Sequence, residues 1–151
     1  LNDYYNGHGK PLTQEQLDNS LSEYNKKGRP FEMVEHYSRY LRKLGKFSGN
    51  YLDFGCGGGL VLYHNKADYA VYGVEISDLA RRHCEKLGIR MGKTLEAFKD
   101  VKFDLISAID VIEHVPDPKA LLISFKKVLK PDGAIFLRLP LSSVNDSVFL
   151  A

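Results

Sequence analysis

Tyr51-Leu52-Asp53-Phe54-Gly55-Cys56-Gly57-Gly58-Gly59-Leu60 decides how the rest of the chain is read. A β-prone apolar run closes on an acid and passes directly into glycine-rich backbone, which turns sharply and lets a ligand approach closely. Amides at the start of a following helix suit an anionic group. A second run, Val71-Tyr72-Gly73-Val74-Glu75-Ile76, also leads to an acid. At the carboxyl edge of a neighbouring strand, Glu75 can accept hydrogen bonds from both hydroxyls of a ribose, as adenosine-containing ligands require. A dinucleotide site wants G-x-G-x-x-G, and its last glycine falls on Leu60, which weakens a nicotinamide reading.

Outward from this loop, the apolar runs 51–54, 70–76, 103–109 and 134–139 read as strands, with a shorter one at 89–91. Ser77 and Asp117 are N-cap residues for helices reaching Leu87 and Leu129, the second with Pro118 in its first turn. Lys130-Pro131-Asp132-Gly133 makes a turn before the last strand. Upstream, Thr13 and Gln16 form a capping box for a helix over 13–26. Gly28-Arg29-Pro30 breaks it, and Met33, Val34, Tyr37, Leu41 and Leu44 mark one face of a second helix that Gly45 can end. Residues 1–12 show no periodicity. Strands buried on both faces and alternating with helices imply an α/β fold of βαβ units around a mostly parallel sheet.

The 151 residues carry 21 basic and 19 acidic side chains, a net charge of +2, with 44% hydrophobic residues. One domain is expected at this length, and disorder, collagen-like repetition and a disulfide scaffold are excluded. Near-neutral charge argues against a nucleic-acid partner. Cys56 and Cys84 show neither CxxC nor metal-ligand spacing, so no metal is expected and a reducing, cytoplasmic setting fits. No apolar run approaches the roughly 20 residues that span a bilayer, so no membrane partner is expected. The basic residues Lys26, Lys27, Arg29, Arg39, Arg42, Lys43 and Lys46 interleave with Glu32 and Glu35 and read as a solvated helix face.

The motifs together resemble the class I S-adenosylmethionine-dependent methyltransferases, in particular their small-molecule branch. Residues 53–59 resemble that family's first motif, D/E-x-G-x-G-x-G, and Glu75 its ribose-binding acid. Phe103-Asp104-Leu105-Ile106-Ser107-Ala108-Ile109-Asp110-Val111-Ile112-Glu113-His114-Val115 resembles the fourth-strand motif, and Leu129-Lys130-Pro131-Asp132-Gly133-Ala134 the turn before the fifth strand. The resemblance implies a three-layer Rossmann-like fold binding S-adenosyl-L-methionine, with S-adenosyl-L-homocysteine as product. It further implies that backbone around Gly55, Cys56, Gly57 and Gly59 meets the methionyl carboxylate and Asp53 its ammonium group. Glu75 would hold the ribose, Ile76 the adenine face, Thr94 and Leu95 the adenine edge, while Ile109 and Asp110 line the pocket near the sulfonium.

A sulfonium methyl is already activated, so the implied enzyme mainly aligns it with a small-molecule acceptor, an oxygen being slightly favoured. Among the histidines, His114 is best placed as a base; His8, His36, His64 and His83 read as surface residues. No Asn-Pro-Pro-Tyr type tetrapeptide follows the fourth strand, which counts against DNA adenine or release-factor methylation. Residues 1–30, with Tyr4, Tyr5 and Tyr24, read as a helical lid segment over a cofactor domain at 31–151. Two other functions stand beside this one: a nucleotide-dependent oxidoreductase, and a subunit that binds S-adenosylmethionine without turnover. The family's sheet ends in an antiparallel hairpin, which this chain is expected to lack. Strand 134–139 would then be an open edge. Oligomeric state is not readable from the sequence.

Overall fold

The computed structural model describes residues 12–45, 48–139 and 147–150. Tyr4, Tyr5 and His8, and with them much of the expected lid segment, lie outside the described residues.

Helix α1 (Gln14–Asn25) starts at Thr13, whose hydroxyl accepts from the Gln16 N–H at 3.2 Å while the Gln16 side chain accepts from the Thr13 N–H at 2.9 Å. This is the reciprocal box that the spacing predicts. α2 (Arg29–Lys43) is capped by Gly28 and takes Pro30 into its first turn, where a missing N–H costs nothing. The Gly-Arg-Pro break therefore opens the second helix as well as closing the first.

A six-stranded sheet follows, in the order β3-β2-β1-β4-β5-β6. Its strands are β1 (Gly49–Phe54), β2 (Tyr69–Val74), β3 (Arg90–Gly92), β4 (Phe103–Ile109), β5 (Leu129–Arg138) and β6 (Ser147–Leu150). Every neighbouring pair from β3 to β5 is parallel, and β6 runs antiparallel to β5. Helices α3 (Leu60–Asn65), α4 (Asp78–Lys86) and α5 (Pro118–Val128) make crossovers. The chain winds to β2 and β3 on one side of β1 and to β4 and β5 on the other. Ligands of open α/β sheets bind where the winding reverses, here at the carboxyl ends of β1 and β4.

Adjacent strand residues feed opposite faces. Tyr51, Leu105 and Phe136 join one core with Tyr37, Leu41, Leu62 and Cys84, while Leu52, Ile106 and Leu137 join another with Phe98, Phe125 and Val128. Two cores flanking one sheet make the three layers, and both-face burial is what continuous apolar strands require.

Three expectations are corrected. β5 is not an open edge: Ile135 pairs with Leu150 and Arg138 with Ser147, so an antiparallel C-terminal strand is present. The ladder also runs from Leu129 rather than Ala134, with residues 130–133 displaced in a register shift opposite Asp104, whose carboxylate accepts from Lys130 Nζ at 2.8 Å. Finally, His64 and His83 are not surface residues. His83 is 5% exposed, with its Nδ1 3.9 Å from an Asp18 carboxylate oxygen, and His64 lies between the Tyr24 hydroxyl at 2.9 Å and Glu35 at 3.1 Å. Helical period places both on a face, but α1 and α2 decide that the face is covered. His36 is exposed, as expected.

Candidate functional site

The glycine loop is tied to the end of β2. Gly55 and Cys56 N–H both donate to the Val74 carbonyl, at 2.7 and 3.2 Å, Gly59 N–H donates to Cys56 O at 2.9 Å, and Gly57 N–H donates to Glu75 Oε2 at 3.0 Å. Gly55 sits at φ +75°, and a Cβ there would lie 2.4 Å from the Val111 side chain. At Gly59, φ is +72° and a Cβ would lie 2.7 Å from Cys84 Sγ. Conformation and close approach both demand glycine at these two positions. Most loop amides are thus spent inside the protein rather than held out to a ligand. Gly58 lines the cavity, and its N–H has no internal acceptor among the described residues.

Glu75, 5% exposed just past β2, uses its other oxygen to accept from the Ser77 N–H at 2.9 Å, linking the loop to the start of α4. Asp53, 4% exposed at the end of β1, is in register with Ser107 on β4. Ser107 Oγ donates to Asp53 Oδ1 at 2.5 Å and in turn lies 2.7 Å from the Tyr51 hydroxyl. With the serine proton committed to the carboxylate, the tyrosine is the donor in that second bond. Burial pushes the Asp53 carboxyl up to about 7; the Ser107 bond opposes this and the Glu75 charge adds to it. The Cys56 thiol is held well above its ordinary value by its hydrogen bond with Cys84 and by burial. Neither cysteine is bonded to a partner sulfur, and the described residues contain no cluster able to hold a metal.

Two cavities have Gly55 in their walls. One, of about 250 Å³, is lined by Asp53, Cys56, Gly59, Ile109 and Asp110, and by Gln16, Leu17 and Ser20 of α1 and Met33, Val34 and Tyr37 of α2. The other, of about 590 Å³, is lined by Glu75, Ile76, Thr94, Leu95 and His114 with Val115 and Leu121. All the sequence candidates therefore converge, Gly57 through its bond to Glu75, but in two chambers. His114 stands with the Glu75 group and not with Asp53 and Asp110. Asp110 takes φ +55°, which aspartate tolerates better than most residues, and its carboxylate is ion-paired with Arg138 on β5. Its Oδ1 has no hydrogen-bond partner among the described residues. Sequence reasoning missed the α1 and α2 residues of the first chamber, because apolar side chains at helical spacing read as core. Arg138 carried no signal at all.

Residues 24–150 match the model of a methyltransferase domain family. The chain belongs to that family. Over 107 residues the domain is 36% identical to the ubiquinone biosynthesis O-methyltransferase of Actinobacillus pleuropneumoniae serotype 7 (strain AP76), covering 61% of this chain and 46% of that protein. It is also 36% identical over 115 residues to the protein of that name from Idiomarina loihiensis, covering 69% of this chain and again 46% of the relative. The chain thus spans about half the length of these relatives. A crystal structure of an S-adenosylmethionine-dependent methyltransferase from Archaeoglobus fulgidus superposes with a TM-score of 0.61 at 25% identity, covering 82% of this chain and 58% of that one. Among the described residues of this methyltransferase domain, no helix is long and apolar enough to cross a membrane.

The residues present fit S-adenosylmethionine. Asp53 is a buried carboxyl with no cation beside it among the described residues, so an ammonium group would relieve what burial raises. Glu75 offers a carboxylate in the wall of an apolar chamber large enough for a nucleoside.

Proposed function

We propose that this domain transfers a methyl group from S-adenosylmethionine to an oxygen of a small molecule. The observation that carries the reading is that Gly55 lies in the walls of both chambers, one holding Asp53 and the other Glu75. A ligand with an amino acid at one end and an adenosine at the other is suited to Asp53 on one side of Gly55 and Glu75 on the other. When bound, it supplies an electrophilic methyl that needs no covalent help from the protein. Asp53 receives the ammonium group, and the backbone at Gly58 faces the carboxylate end. Glu75 holds the ribose, Ile76, Thr94 and Leu95 frame the adenine, and Ile109 and Asp110 wall the chamber near the transferable methyl.

The names of the curated relatives support oxygen as the receiving atom. The position of His114 supports a role in shaping the nucleoside chamber rather than in meeting the acceptor. α1 closes the first chamber: Leu17 is buried, and a Cβ at Gly58 would lie 3.1 Å from its side chain. The position of α1 supports reading the N-terminal segment as a lid over the 31–151 domain. Calorimetric titration with S-adenosylhomocysteine and with NAD tests the reading. Binding of the first and not the second is expected; NAD binding with no response to S-adenosylhomocysteine overturns it. A screen with isotopically labelled cofactor separates an enzyme from a binding subunit that does not turn over.

A further inference from the structure

We propose that Ser107 and Tyr51 are positioning residues for the cofactor: their two hydroxyls, acting in series, hold the Asp53 carboxylate ionised and aimed at the ammonium group of S-adenosylmethionine. The inference rests on the methyl-transfer reading above, which puts that ammonium group on Asp53. Tyr51 and Asp53 stand two residues apart on β1 and so share a face of the sheet, and Ser107 is the register partner of Asp53 on β4. Tyr51 and Ser107 are fully buried. Ser107 Oγ donates to Asp53 Oδ1 at 2.5 Å, and the Tyr51 hydroxyl donates to Ser107 Oγ at 2.7 Å. Both protons therefore run toward the carboxylate, and each bond strengthens the next in surroundings of low polarity. β4 is otherwise apolar from Leu105 to Ile109, so a hydroxyl at 107 has a use only toward the groups it bonds.

The two ends of the chain fix its direction. The Tyr51 ring packs edge-on against Tyr69 with centroids 5.4 Å apart, and burial holds its phenol well above the ordinary value, so the hydroxyl stays a donor. At the other end the serine occupies Oδ1, while Asp53 Oδ2 has no hydrogen-bond donor among the described residues and is left for the cofactor. The other ionisable groups around Asp53 do not share this task. Glu75, just past β2, is a like charge that opposes ionisation, and the Cys56 thiol of the glycine loop is held protonated. Across the chamber, burial keeps the Tyr37 phenol of α2 protonated, and Asp110 at the end of β4 is paired with Arg138 on β5.

The test is calorimetric titration of the full chain with S-adenosylhomocysteine from pH 5.5 to 8.5. In the wild type, affinity rises with pH until Asp53 is ionised. Ser107→Ala should move that rise upward by about one pH unit, so that affinity falls about tenfold at pH 6 and by less than about threefold at pH 8.5. Tyr51→Phe, which keeps the ring and removes only the hydroxyl, should move it the same way by a smaller amount. In an Asp53→Asn background, adding Ser107→Ala should leave the profile flat. A loss of equal size at every pH in Ser107→Ala makes the serine a packing residue and overturns the inference. A Tyr51→Phe profile that coincides with the wild type overturns the series of hydroxyls, and it decides the matter should Ser107→Ala not fold. Failure of the wild type to bind S-adenosylhomocysteine at any pH overturns the methyl-transfer reading instead, and this inference with it.

Discussion

Asp53 carries the largest electrostatic cost at the site, and its consequences can be measured. Its carboxyl moves from an ordinary 3.8 to about 7 in the folded protein because it is buried with a single hydroxyl donor. The folded form therefore holds the proton more tightly than the unfolded chain. The stability this contributes is complete below about pH 4 and is lost as the pH climbs through about 7, at a cost on the order of 4 kcal/mol. Asp53→Asn should flatten that decline, read as the difference in denaturant unfolding between wild type and variant at pH 5 and pH 8. Cofactor binding has the opposite sign, since the ammonium wants the carboxylate. S-adenosylhomocysteine affinity should rise by up to about tenfold per pH unit on approaching 7 from below, with proton release visible in buffers of different ionisation heat, and this dependence should vanish in Asp53→Asn. Glu75→Ala should weaken S-adenosylhomocysteine binding by roughly 1 to 3 kcal/mol in calorimetry. It should also lower the melting temperature, because the Gly57 and Ser77 amides lose their acceptor. Unchanged affinity removes Glu75 from the ribose role.

At the scale of elements, the N-terminal helices do more than lead into the sheet. Leu17 of α1 packs over the glycine loop, Asp18 approaches His83 on α4, and Tyr24 meets His64 on α3, the helix that follows the loop. Leu17→Ala should cost about 2 to 3 kcal/mol in chemical unfolding, the lower part of the range for a buried leucine, because a surface helix can settle into the gap. Deleting residues 1–29 should abolish turnover in the labelled-cofactor assay while sparing much of the S-adenosylhomocysteine affinity, because the groups proposed to hold the cofactor all stand on the sheet and its loops. Turnover equal to that of the full chain defeats the lid. α1, α2, α4, α5 and the strands β1 to β4 were legible in the sequence, whereas β6 and the start of β5 were not. The Thr13 box and the Ser77 and Asp117 caps act through neighbours three residues away, so local spacing suffices to read them. What those helices pack against was not legible, because His83 and His64 lie on faces that only a distant segment covers.

For the whole molecule, the sheet depends on its last strand. β6 pairs with β5 from Ser147 to Leu150, and without it the N–H and C=O groups along residues 135–138 would stand open to another chain. Removing residues 140–151 should therefore promote self-association, visible as a concentration-dependent rise in mass by light scattering. A truncated chain of unchanged mass would show that the edge needs no cover.

The sequence by itself determined the α/β class, the positions of β1 to β4, the glycine loop and the acids at the ends of β1 and β2, because each is written in short-range spacing and strand-length apolar runs. Only the tertiary structure decided that the loop amides are spent on Val74 and Glu75, that the site is two chambers with Gly55 in both walls, and that α1 and α2 wall the one that holds Asp53. These depend on residues far apart in the chain arriving at one sheet edge. The pairing of Asp110 with Arg138 is of the same kind: it exists because β4 and β5 lie side by side, and no local pattern foretells which cation a strand-end acid will meet.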